Sequence, residues 1–242
     1  MNRPRTTIHI LSSLDGKITG AYMGMPSVGA VSEEYGRMRS EYHADAWLYG
    51  TVTTKEFTGY RKPKLQEGAL PAAEGDFVAE REPGLSLFNI SVDALGEIGW
   101  ESGTFQKAGR PDAHVIEVLT EQAPAAYRAY LQKCGVSYIL AGKDALDCKM
   151  ACEKLYRLFG IRTMLICGGG TVNWTFLQQG VVDEISLLIA PAADGSRDTV
   201  TVFERSPLLA KSAPMEFHLK DVERLAGDGV RLVYAVDEKE SR

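Results

Sequence analysis

The run Gly160-Ile161-Arg162-Thr163-Met164-Leu165-Ile166-Cys167-Gly168-Gly169-Gly170-Thr171-Val172-Asn173-Trp174 constrains the fold more than any other part of the chain. An apolar stretch from Thr163 to Cys167 meets three glycines and then Thr171, after which Val172, Phe176 and Leu177 recur at helical spacing. That order predicts a buried strand, a tight turn and a helix start. Amide N–H groups left over at a helix N-terminus, with the positive end of the helix dipole, form an anion site. Glycine lets a phosphate approach the main chain because no Cβ intervenes. The guest that fits is the pyrophosphate of a nucleotide; the alternative is a plain strand-to-helix turn, since Gly-Gly-Gly is neither a Walker loop nor a G-x-G-x-x-G fingerprint.

The rest of the chain sets that turn in an α/β frame. Thr6 to Ser13 is β-branched and apolar, a first strand, with Asp15-Gly16 as a turn behind it. Thr19 to Ala30, rich in Gly, Met and Pro, reads as a mobile loop and a plausible lid. Ser32, followed by Glu33 and Glu34, reads as the N-cap of a helix to about Tyr42. Asp45 to Gly50 is a second strand, and Thr51 to Phe57 is compatible with a helix. Residues 58–84 carry Pro63, Pro71 and Pro83 with no steady period, which reads as a surface excursion, a dimer arm or a substrate rim. Leu87 to Val92 and Glu97 to Trp100 pattern as a hairpin.

Ala113 to Leu119 is a strand, and Pro124 opens a helix from Ala125 to Cys134 that Gly135 closes. Ser137 to Ala141 is a strand ended by Gly142, and a helix from about Ala145 runs to Gly160. Past the glycine turn come a helix to Gln179, a strand from Asp183 to Ala190, and two alternating strands, Met215 to Leu225 and Val230 to Asp237. Strand and helix alternating through the middle imply parallel pairing with right-handed crossovers, and the closing pair an antiparallel edge on the same sheet. No repeat or linker divides residues 1–242, so the reading is one domain.

Bulk properties narrow the function. A net charge of −5, with basic residues spread out, disfavours a nucleic-acid partner. No apolar run approaches the ~20 residues that span a bilayer, and the N-terminus lacks a signal-peptide pattern; a cytoplasmic protein is the expectation. The four cysteines, Cys134, Cys148, Cys152 and Cys167, are too scattered for a disulfide framework. His9, His43, His114 and His218 are isolated, so no metal site is assigned.

Asp15-Gly16, Gly50-Thr51 and Gly168 to Thr171 place small residues at three strand ends, with Gly142 as a fourth wall. In open α/β sheets ligands gather outside the carboxyl ends of parallel strands. Physics alone therefore points to a nucleotide-binding enzyme without saying which.

Arg3-Pro4 before a strand, Ser13-Leu14-Asp15-Gly16-Lys17-Ile18, Tyr49-Gly50-Thr51, Gly160-Ile161-Arg162 to Gly168-Gly169, and Leu177 to Pro191 together resemble one family. It is the reductase domain of the bacterial riboflavin-biosynthesis deaminase–reductase. No deaminase-like segment precedes these motifs, so the chain is similar to the stand-alone members. The resemblance implies a single dihydrofolate-reductase-like domain: a mostly parallel central sheet, helices on both faces and a C-terminal antiparallel strand pair. It further implies NADPH, a homodimer, and reduction of the ribose of a 5-amino-6-(5-phosphoribosylamino)pyrimidine, the uracil in the family reaction, to a ribityl chain. Family members carry a lysine where His9 stands, a glutamate where Cys167 stands, and an Asp-Asp-Pro segment leading to a phosphate-binding arginine. Here Val52 to Phe57 replaces that segment, leaving Arg61 or Lys62 as the phosphate candidates. The cofactor half of the pattern is better kept than the substrate half, so a different heterocycle or carbonyl, or cofactor binding without the family reaction, stays open.

The candidate cofactor contacts are Gly50, Thr51, Gly142, Gly168, Gly169, Gly170 and Thr171. Asp15 and His9 are the candidate catalytic residues, with Lys17 and Arg61 toward the substrate. Each has a plainer reading: Asp15 as a turn residue, His9 as a hydrogen-bonded core histidine whose burial favours the neutral form, Lys17 as a solvated turn lysine. Cys167 reads as packed, and Trp47 and Trp174 as core or interface residues.

Overall fold

The computed structural model describes residues 2–65, 74–207, 209 and 212–237. Of the 58–84 excursion, residues 66–73 therefore lie outside the described part. The chain divides into two compact units, one made of residues 1–4 and 45–163, the other of residues 5–44 and 164–242. Among the described residues each is mixed α/β with five strands.

In the first unit, β2 (Ala46–Gly50), β3 (Leu87–Val92), β5 (Ala113–Leu119) and β6 (Ser137–Leu140) pair in parallel in that spatial order. The short β4 (Thr104–Phe105) lies antiparallel on β5. β2, β3 and β5 are buried along their whole length, as parallel strands covered on both faces are. Three helices belong to this unit: α2 (Thr51–Phe57) follows β2, α3 (Ala125–Lys133) links β5 to β6, and α4 (Cys148–Phe159) follows β6. Asp147 caps α4 by accepting from the Met150 amide at 2.9 Å, and Gly160 closes it in the left-handed region. The helix thus starts three residues later than its apolar pattern suggests.

The expected hairpin over 87–100 does not form. Both edges of β3 are taken by parallel neighbours, β2 and β5. Residues 93–98 instead fold into a turn held by the Asp93 carboxylate, whose Oδ2 accepts from the amides of Glu97 (2.6 Å) and Ile98 (3.0 Å). Ile98 and Trp100 then enter the core beside Tyr127 and Leu131. An apolar run next to a turn looks the same in sequence whether it pairs or packs.

In the second unit, β7 (Thr163–Ile166), β1 (Arg5–Ser12), β8 (Glu184–Ile189), β10 (Val230–Ala235) and β9 (His218–Arg224) lie in that order; Thr163 itself falls in the first unit. β1 and β8 are parallel, while β10 runs antiparallel to both β8 and β9, giving the expected antiparallel close. Two helices, α1 (Pro26–Glu41) and α5 (Gly170–Gln178), complete it. α1 buries Val28, Val31 and Met38 against Leu11 and Leu188.

α1 corrects two expectations. It begins at Pro26, not near Ser32, and a short 3-10 turn at Ala21–Gly24 lies within the expected loop over 19–30. Pro26 stands at the first helical position, where its fixed φ suits the helix and its missing N–H costs nothing, and Met25 before it is extended (φ −75°, ψ 141°).

Candidate active site

The strand, turn and helix expected over 163–179 are present. Gly168 adopts φ +99°, where L side chains are strained, and a Cβ there would stand 3.0 Å from Ile10 Cδ1. Gly169 is the N-cap of α5 and has no side chain to cap it, and among the described residues no side chain bonds to that end of the helix. A Cβ on Gly169 would meet only Ile18 Cδ1, at 3.9 Å.

Gly170 is different. A Cβ there would lie 2.1 Å from the Thr201 carbonyl oxygen, and the Glu204 amide donates to the Gly170 carbonyl at 3.1 Å. The bareness of Gly170 thus serves the packing of residues 201–204, whereas that of Gly169 leaves open space beside the uncapped helix end. Asn173, wholly buried one turn on, donates from Nδ2 to the Val202 carbonyl at 2.9 Å, and its Oδ1 has no partner among the described residues. Thr171 is exposed in the first turn, its carbonyl accepting from the Thr175 hydroxyl.

Residues 199–204 also organise the end of β1. Lys17 and Thr201 form an antiparallel bridge, flanked by Ile18 N to Val200 O (3.0 Å) and Val202 N to Gly16 O (3.0 Å). Lys17 is buried and its Nζ donates to the Thr199 carbonyl at 3.0 Å, so it is no solvated lysine. Asp15 accepts from Ser13 Oγ at 2.5 Å and from the amides of Asp194 (3.1 Å) and Gly195 (2.8 Å). These bonds, the Ser13 hydroxyl first, hold its carboxyl down to about pH 2. Asp15 is therefore a carboxylate near neutrality, with no proton to donate.

One segment, 194–204, thus contacts Asp15, Lys17 and Gly170 in turn, and sequence reasoning missed it. Its available signal was Thr199-Val200-Thr201-Val202, a β-branched run after a Gly-containing loop.

His9 lies in the core of the second unit, fully buried. Its Nε2 meets the Tyr35 carbonyl at 3.1 Å and must carry the proton there; its Nδ1 meets Ser186 Oγ at 3.1 Å. Arg231 Nε donates to the same Ser186 oxygen at 3.0 Å, which leaves the hydroxyl proton free to point at Nδ1. The Tyr35 ring stacks on the imidazole at 4.5 Å. Burial, with Arg231 and Arg39 nearby, pushes the His9 pKa down to about 4 against the pull of the Tyr35 carbonyl. The network assigns a neutral imidazole held in one tautomer.

In the first unit, Gly50 precedes α2 and Thr51 begins it. The Thr51 hydroxyl donates to the Val92 carbonyl at 2.7 Å, tying α2 to the carboxyl end of β3. Behind it a relay runs from Ser91 Oγ to Thr54 Oγ1 (3.1 Å) and on to the Gly50 carbonyl (3.2 Å). Gly142 shares this carboxyl edge, its carbonyl accepting from the Glu121 amide at 3.0 Å. At φ +104° it turns under the Ala145 carbonyl, which a Cβ would approach to 2.0 Å. Arg61 is paired with Glu101 at 3.0 Å.

Two acids that sequence reasoning missed are buried beneath that edge. Glu117, fully buried on β5, accepts from the Trp100 indole N–H and lies beside the Ser91 hydroxyl. Desolvation raises its pKa well above the usual range, with Asp93 adding repulsion. Asp93 is raised by burial as well, although it accepts from two amides and faces the Tyr127 hydroxyl at 3.2 Å.

The model of the RibD C-terminal domain family matches residues 107–230, just over half of the chain. Among relatives, the 2,5-diamino-6-ribosylamino-4(3H)-pyrimidinone 5′-phosphate reductase of Aquifex aeolicus is 27% identical over 207 residues, 84% of this chain and 83% of its own. The reductase of the same name from Methanothermobacter thermautotrophicus is 25% identical over 227 residues, 93% of this chain and 95% of its own. Two solved structures share the fold. A pyrimidine reductase-like protein from Corynebacterium diphtheriae has TM-score 0.65 at 17% identity, over 98% of this chain and 93% of that one. The riboflavin biosynthesis reductase Rib7 of Saccharomyces cerevisiae has TM-score 0.62 at 19% identity, over 98% and 91%. The fold is the expected dihydrofolate-reductase-like one, and the chain belongs to the RibD C-terminal domain family.

Proposed function

We propose that this member of the RibD C-terminal domain family is an oxidoreductase of riboflavin biosynthesis that reduces the ribose of a ribosylaminopyrimidine 5′-phosphate to a ribityl chain with NADPH. The observation that carries the reading is the likeness of nearly the whole chain to reductases of that name. The relatives' names specify a 2-amino pyrimidinone, whereas the uracil expected from the sequence carries oxygen at that carbon. We place this chain with the 2-amino substrate, on the strength of those names.

The residues fit a dinucleotide by one test: among the described residues no side chain caps the N-terminus of α5, and a Cβ on Gly169 would enter open space. In this reading the amides after Gly169 hold the diphosphate and Gly168 allows the turn that presents them. Asp15 keeps the 194–195 loop in place, and Lys17 anchors the 199–202 strip on which Gly170 rests. Gly50, Thr51 and Gly142 are assigned cofactor contacts of their own.

When bound, the reduced nicotinamide supplies a hydride to C1′ of the ribose. The C1′–O4′ bond breaks, and O4′ gains a proton. Neither Asp15, ionised, nor His9, locked neutral in the core, is assigned that proton transfer. His9 is assigned a positioning role for β1 and α1. We further propose a cytoplasmic homodimer, with the exposed edge strand β9, which presents Leu219 and Val222 to solvent, at the seam.

The test is NADPH oxidation by the purified protein with the 2-amino pyrimidinone and, separately, the uracil. Turnover of the first with ribityl product supports the reading. Turnover of the uracil alone would shift the substrate, and saturable NADPH binding without turnover of either would favour a cofactor-binding protein that lacks the family reaction.

A further inference from the structure

Arg61, with Lys62 one of the two phosphate candidates left by the family resemblance, is engaged by Glu101. A different pair of cations in the same unit has no carboxylate partner among the described residues. Lys107 and Arg110 flank a tight turn, closed by the Arg110 amide on the Lys107 carbonyl at 3.0 Å, with Gly109 at φ +76°. The turn directs both side chains at one ring: Lys107 Nζ stands 4.3 Å and the Arg110 guanidinium carbon 4.5 Å from the Phe57 centroid. Arg110 is fixed further by donating from Nη1 to the Tyr49 hydroxyl at 2.9 Å. Among the described residues neither cation is in an ion pair.

We propose that Lys107 and Arg110, propped on Phe57 and Tyr49, form a binding site for a phosphate monoester. Two like charges on one ring repel each other, and flexible side chains at a surface ordinarily avoid that unless something holds them. Here cation–π contacts and the tyrosine bond hold them, at the cost of depressing the Lys107 pKa through desolvation and the Arg110 charge. Glu56 offsets this in part, through space. Asp112, the other acid beside the turn, is engaged by Gln106 Nε2 at 2.7 Å. With one guanidinium nitrogen committed to Tyr49, the remaining fork is free for two phosphate oxygens while Lys107 supplies a point charge. A dianionic monoester matches that pair.

The inference rests on the reductase reading only for which molecule brings the phosphate, the ribose 5′-phosphate of the substrate or the adenosine 2′-phosphate of the cofactor. The probes are therefore ribose 5-phosphate and 2′-AMP, with ribose and adenosine as phosphate-free controls, each titrated into the protein without cofactor and followed by calorimetry. Wild type is expected to bind one of the two monoesters and not its control. Lys107→Gln and Arg110→Gln are each expected to weaken that binding by about tenfold or more, the loss of one charge-assisted bond. Arg110→Lys is expected to restore part of it, and Lys64→Gln, at an exposed lysine elsewhere, to leave it unchanged. Unaltered melting temperatures keep the comparison free of unfolding.

Loss with ribose 5-phosphate identifies the substrate as the source, and loss with 2′-AMP identifies the cofactor. No binding of either monoester at millimolar concentration, equal binding by the variants, or equal weakening by Lys64→Gln would overturn the site. Because no turnover is measured, failure of the reductase reading would leave this result standing.

Discussion

Gly170 lies directly against Thr201: a Cβ on the glycine would be 2.1 Å from the threonine's carbonyl oxygen. The first residue of α5 is therefore bound to the strip that also holds Lys17 and Gly16. The contact separates two glycines that look equivalent in sequence.

Gly170→Ala must push the 201–204 backbone away and is expected to destabilise the protein by about 2 kcal/mol or more, in the range of overpacking changes. Gly169→Ala meets nothing closer than 3.9 Å and is expected to leave the melting temperature nearly unchanged. Its effect is expected in NADPH binding instead, as a KM raised about tenfold if an anion lies on those amides. Thermal melts of both variants beside NADPH titrations check this, and the reverse pattern would refute the division of roles.

Asp15→Asn is expected to lower kcat/KM through a loosened 194–195 loop. The shape of the pH–rate profile from roughly pH 5 to 9 should stay the same, because a carboxyl that titrates far below that window contributes no limb to it. Losing a limb in the variant would instead make Asp15 the proton-transferring group. Stability linked to this carboxylate is present above the ordinary value of 3.8 and is lost as pH falls toward 2.

The unfolded His9 side chain takes up a proton near 6.5, and the folded one only near 4. Stability is therefore complete above 6.5 and falls as pH drops toward 4, by on the order of 3 kcal/mol over the window. Urea unfolding of wild type and His9→Gln at several pH values reads this directly. The acid-side loss should shrink in the variant; an unchanged loss would place the sensitivity elsewhere.

Glu117 has the opposite sign. Its carboxyl keeps its proton in the fold beyond the usual 4.5, so its stabilisation is complete below that value and declines as pH rises toward the folded pKa. Glu117→Gln, a neutral isostere, is expected to gain on wild type in urea unfolding as pH rises above 4.5. Asp93 adds in the same direction. A constant difference across pH would mean that Glu117 is ionised in the fold.

Legibility from sequence followed the range of the forces involved. The 163–179 motif, the parallel order of strands through the middle and the antiparallel close were readable because apolar period, glycine stops and short connections are local. The 87–100 segment misled because whether an apolar run pairs or packs depends on which edges are already occupied. Only the register shows that β3 has none free.

The residues themselves determined that a strand would run into three glycines and a helix. Tertiary structure alone decided which glycine faces open space and which faces Thr201. It also decided that His9 and Asp15 would be hydrogen-bonded into fixed charge states, and that Lys107 and Arg110 would meet over one ring. Those outcomes depend on atoms from segments far apart in the chain, and a pKa or a steric limit is set by whatever neighbours folding supplies.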